Sequence, residues 1–105
     1  MSDVRVVMTT FNEENLAKSV VRELLNRRLI ACANIVPGAT SLYQWEGEVC
    51  EEIEVLVFLK TTSVNYSSLE AALQELHPYD VPEIMAFNVS EGSESYLNFV
   101  RDNTG

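Results

Sequence analysis

The chain has 105 residues, enough for one hydrophobic core and too few for two, so a single domain over residues 1–105 is expected. With 47% apolar against 22% charged residues it can close that core, which excludes a disordered, collagen-like or disulfide-dependent chain. Seven Lys and Arg against sixteen Asp and Glu leave a formal charge of −9, which repels phosphate backbones and anionic lipid and argues against nucleic-acid and membrane partners.

The opening Met1-Ser2-Asp3-Val4-Arg5 has an early acid and no basic leader, so no signal peptide is expected. No apolar run reaches the roughly 18 residues a bilayer span needs, and the expected location is cytoplasmic. There Cys32 and Cys50 should stay reduced, because they lack both the CxxC spacing of a redox pair and the ligand count of a zinc site. The sequons at Asn65 and Asn88 are then accidental.

Val4 to Thr10, rich in β-branched residues, predicts the first strand. Asn12 is placed to cap a helix, with Glu13 and Glu14 at its positive end and Arg27 and Arg28 at its negative end. Leu16, Ala17, Val20, Val21, Leu24 and Leu25 give that helix one apolar stripe. Leu29 to Trp45 reads as a long strand bulged at Pro37-Gly38, and Glu46-Gly47-Glu48 reverses the chain into a partner strand from Val49 to Thr61. Ser63 to Leu76 predicts a second helix, stopped by Pro78. Glu83 to Val89 reads as the last strand and Ser93 to Arg101 as a short terminal helix.

The order strand, helix, strand, strand, helix, strand, then a tail helix, fits an α+β, ferredoxin-like split βαβ fold with an antiparallel sheet and both main helices on one face. The other face of such a sheet is normally polar. Here Val6-Val7-Met8, Val55 to Leu59 and Ile84 to Phe87 place apolar side chains on both faces. At roughly 25 cal/mol per Å², leaving that face wet forgoes several kcal/mol per chain, so a homo-oligomer is expected. An aspartate at Val57 is expected to unfold or disperse it.

Phosphate-loop, dinucleotide and zinc-protease signatures are absent, and the only histidine is His77. Cys32 and His77 offer a soft thiolate and an imidazole, a pair suited to copper or zinc; the plainer alternative is a cysteine filling a core gap and a histidine ending a helix. Glu46, Glu48, Glu51, Glu52 and Glu54 form an acidic hairpin that reads as a solvated sheet edge, with loose cation binding or pairing to a neighbour's arginines as alternatives. Tyr43 and Trp45 alternate on one strand face, and Tyr79 follows His77-Pro78; these rings suit either a cleft or an oligomer contact. Strand spacing puts Cys32 and Cys50 too far apart for a disulfide.

Several ordered segments together resemble the CutA divalent-cation-tolerance family over Val6 to about Thr104. They are Ala31 to Gly38, Thr40 to Glu48, Lys60-Thr61, His77 to Ile84, and Tyr96-Leu97. The resemblance implies a ferredoxin-like fold and a tight homotrimer built like the nitrogen-regulatory signalling proteins. It also implies a non-enzymatic role in divalent-cation tolerance, with copper or another divalent cation bound through Cys32 and His77 and no obligatory cofactor. Leu76 stands where some members carry a second histidine, and Phe99 stands where tryptophan is common; Cys50 lies outside the family pattern. The alternative is a signalling or scaffold trimer that binds a small molecule or protein in its inter-subunit clefts through Tyr43, Trp45, Tyr79 and Glu83. A third reading, a thiol enzyme, needs Cys32 activated by His77.

Overall fold

The computed structural model describes residues 2–105. Strand β1 (Val4–Phe11) leads into α1 (Glu14–Asn26), followed by β2 (Cys32–Trp45), β3 (Glu48–Thr62), α2 (Tyr66–Leu76), β4 (Met85–Asn88) and α3 (Glu94–Asp102). The four strands form one antiparallel sheet in the order β2-β3-β1-β4. This is the expected split βαβ arrangement: β3 lies between β1 and β2, and two helices supply the crossovers.

Alternation along the strands assigns the faces. Val7 and Phe11 of β1 and Val55, Val57 and Leu59 of β3 point to one side and pack with Ala17, Val20 and Leu24 of α1 and Leu69 and Leu73 of α2. The opposite side carries Val6 and Met8, Leu56 and Phe58, and Met85 and Phe87. Among the described helices only α3 reaches that side. Its Tyr96 hydroxyl lies 3.3 Å from the Cys32 sulfur, and its Val100 is fully buried. Met85 and Phe87 remain 45% and 49% exposed, so most of this face has no cover within one chain. The two-sided apolar strands are therefore present as the sequence implies.

Strands β2 and β3 outrun the helices and project as an arm, which gives the molecule dimensions of 44 × 26 × 23 Å. The arm closes at Glu46 and Gly47, both with positive φ (51° and 82°), the two-residue reversal whose twist matches a hairpin. Leu42, Val49 and Ile53, on the arm's helix-side face, are each about two-thirds exposed or more. Where Val36-Pro37-Gly38-Ala39 oppose only Leu56 to Glu54, β2 holds one extra residue, with Gly38 at φ 81°. Pro37 costs no ladder bond to a second neighbour, because β2 is an edge strand.

Element boundaries shift for local reasons. Glu13 is still extended (φ −149°, ψ 137°), so α1 opens after it and Asn12 does not cap. Helix α2 starts at Tyr66 rather than Ser63, since the Ser63 amide bonds the Asp3 carbonyl and Thr62 to Asn65 form a turn. Strand β4 is limited to the four residues that pair with Arg5 to Met8, leaving Glu83 and Ile84 in the preceding loop. Helix α3 begins as expected, its Ser93 hydroxyl accepting from the Tyr96 amide.

Val57 faces the helices and has no exposure, so an aspartate there strikes the core and not a contact between copies. Val57→Asp should cost several kcal/mol and abolish the cooperative unfolding transition seen by circular dichroism in denaturant; a native-like transition would contradict this face assignment.

Candidate functional site

The extra residue in β2 decides which side chains meet. Before it, Cys32, Asn34 and Val36 share the face turned away from α1 and α2; after it, Ser41, Tyr43 and Trp45 do. Without that insertion Tyr43 and Trp45 would point to the opposite side of the arm. With it they stand over Cys50 and Glu52 of β3, and the loop from His77 to Ile84 closes the far wall. The result is an open groove of about 810 Å³ along the arm, and all four expected cleft residues, Tyr43, Trp45, Tyr79 and Glu83, line it.

Two carboxylates complete the wall. The Tyr43 hydroxyl donates to Glu52 Oε1 at 2.6 Å, and the Tyr79 hydroxyl donates to Glu54 Oε2 at 2.8 Å. The bond to Glu52 pushes the Tyr43 phenol up to about 12. Burial, reinforced by the bond to Glu54, pushes Tyr79 upward as well. Burial first, then the negative charge of Glu54, raises the Glu83 carboxyl above its ordinary range. Glu54 is 8% exposed, so the reading of the whole acidic hairpin as a solvated edge holds for Glu46, Glu48 and Glu51 but not for Glu54. Period-two alternation through Cys50, Glu52 and Glu54, set against Tyr43, is the signal that could have placed these carboxylates in the site.

His77 positions the loop. Its ring stacks on Phe11 with centroids 4.4 Å apart, Nε2 donates to the Thr10 carbonyl at 2.7 Å, and Nδ1 accepts from the Tyr79 amide at 3.2 Å. This is a neutral, buried imidazole with both nitrogens engaged. Burial holds its pKa below the ordinary histidine value, against the Thr10 bond and the Glu54 charge.

Cys32 lies elsewhere. It pairs with Lys60 on β3, four residues from Leu56, the partner of Thr10, and one strand further across. Strand spacings then separate Cys32 from the Thr10 backbone that holds His77 by roughly 16 Å, whereas two ligands of one metal ion stand about 4 Å apart. One chain does not bring Cys32 and His77 together, as ligands or as a thiol-imidazole pair. Among the described residues, no group of three or more His, Cys, Asp or Glu is arranged to hold a metal ion. Around Cys32 stand the Tyr96 hydroxyl and Lys60, whose ammonium bonds the Asn34 side chain; the sulfur contact, with burial, raises Tyr96 to about 12. Cys32 and Cys50 are both unpaired and partly exposed.

The CutA1 divalent ion tolerance protein model matches residues 5–103. A divalent-cation tolerance protein CutA of Thermus thermophilus is 46% identical over 100 residues, covering 95% of this chain and 97% of that protein. The human protein CutA is 38% identical over 101 residues, and this chain spans 56% of its length. A solved structure from Thermus thermophilus, described as a divalent cation tolerance protein (Cut A1), superposes with a TM-score of 0.94 at 45% identity over 97% of this chain and 99% of that one.

A buried neutral His77 makes stability depend on pH. Because the folded state resists its protonation while the unfolded chain accepts the proton near pH 6.5, stability is present above that pH and is lost as pH falls below it. NMR titration of the single histidine should give a pKa below about 6.5, and His77→Gln should flatten the fall in Tm between about pH 7 and 5. A ring titrating above 6.5 would contradict its burial.

Proposed function

The chain belongs to the CutA1 divalent ion tolerance family, and from that premise we propose that it serves divalent-cation tolerance as a homotrimer that binds copper or another divalent cation, without catalysis. The observation that carries the reading is the position of Cys32. A partly exposed thiol stands on the sheet face that one chain leaves largely uncovered, so donors from a neighbouring copy can approach it. Thiolate is a soft ligand, which favours copper or zinc over magnesium or calcium. His77 joins such a site only if Nδ1 gives up the Tyr79 amide, which couples any metal role of this histidine to the groove loop. The separation of Cys32 from His77 within a chain supports a binding role over a thiol enzyme. Two unpaired cysteines agree with a reducing, cytoplasmic setting.

The groove supports a second reading, a signalling or scaffold trimer that takes a small molecule or protein in clefts between subunits. The observation in its favour is that Tyr43, Trp45, Tyr79 and Glu83, from distant parts of the chain, line one concavity.

Anaerobic calorimetric titration with Cu(I) separates the readings. Saturable uptake is expected, weakened about tenfold or more in Cys32→Ser and more mildly in His77→Ala. Absence of heat in the unaltered protein, or identical binding by both variants, would overturn the metal assignment.

A further inference from the structure

We propose that the groove is a binding site for a small planar organic cation of the amidinium or guanidinium class, held between Glu52 and Glu54 and stacked on the neighbouring aromatic rings. The proposal rests on the second reading above, that the groove is a ligand site, and it names the ligand's chemistry.

Glu52 and Glu54 alternate on one face of β3, so their backbones stand about 7 Å apart with both side chains directed into the groove. A neutral phenol holds one oxygen of each carboxylate: Tyr43 on Glu52 Oε1 and Tyr79 on Glu54 Oε2. Glu52 Oε2 and Glu54 Oε1 accept no hydrogen bond among the described residues and are left as oriented acceptors. Glu54 is more than nine-tenths buried, yet the ion pairs of the described residues all lie elsewhere, on Glu14, Glu23, Glu75 and Asp3. A bound cation would give Glu54 the oppositely charged partner that the described residues do not supply. Glu83 adds a third carboxyl whose ionisation Glu54 opposes, a repulsion that the same cation relieves.

The remaining walls select among cations. Tyr43, Trp45 and Tyr79 line the groove, and the faces of aromatic rings attract positive charge. A planar, weakly hydrated fork satisfies both carboxylates and stacks on a ring, which a compact ammonium cannot do. Among the described residues of one chain, no Lys or Arg lines the groove to compete for the acids. Its volume, about 810 Å³, lies within the range of small-molecule sites, about 300–1,000 Å³.

Trp45 is the only tryptophan and stands in the groove wall, so its fluorescence reports occupancy. The full chain in metal-free, low-salt buffer is titrated with benzamidine, with neutral benzamide and with anionic benzoate, three probes that share a ring and differ in charge. Saturation by benzamidine is expected, with benzamide at least about tenfold weaker and benzoate silent. Glu52→Gln and Glu54→Gln should each weaken benzamidine about tenfold, with folding checked by thermal melting. Glu52 is exposed, so its variant decides the matter even if the buried Glu54→Gln does not fold. Equal responses to benzamidine and benzamide would keep the groove as a ligand site and overturn its cation selectivity. Silence from all three probes would overturn the ligand-site reading itself. Unchanged benzamidine binding in a folded Glu52→Gln or Glu54→Gln would remove the carboxylates from the site.

Discussion

A sheet that is apolar on both faces can bury only one of them beneath two helices, and this constraint orders the rest of the molecule. Helices α1 and α2 cover Val7, Val57 and Leu59, while α3 shields one end of the other side and leaves Met85 and Phe87 half exposed. The arm adds Leu42, Val49 and Ile53, large side chains in water with no apolar layer near them. Exposed apolar area of this extent marks a contact surface more often than a monomer's exterior. Assembly of identical chains would convert the deficit into stability, and it would bring other donors to Cys32 and other walls to the groove.

The functional geometry depends on one extra residue. Pro37 and Gly38 shift the β2 register so that Tyr43 and Trp45 stand on the same side as Cys50, Glu52 and Glu54. Residues brought together in this way come from the arm's two strands, the end of β1 and the loop after α2. His77 then holds that loop to β1 through Thr10 and Phe11, which places the Tyr79 hydroxyl on Glu54. The histidine thus has a positioning role inside one chain, whatever ligands it meets in an assembly.

Much of this is legible in the order of residues alone. The Pro37-Gly38 interruption, the Glu46-Gly47 reversal and the alternating Val55, Val57 and Leu59 each have a local physical cause, and strand order follows from them. Tyr43, Trp45, Tyr79 and Glu83 are likewise readable as one cleft. Less legible are features set by tertiary contact. Ser63 is drawn out of α2 by the Asp3 carbonyl, and β4 is shortened by the length of β1 available to it. Glu54 looks like any hairpin acid until register places it under Tyr79, and the separation of Cys32 from His77 emerges only from counting across three strands.

Whether copies of the same chain cover the second sheet face is read by sedimentation velocity over a dilution series from micromolar to nanomolar chain. One species with the mass of three chains is expected, persisting on dilution and losing its fold when it dissociates. A folded, soluble single chain at micromolar concentration would contradict this assembly.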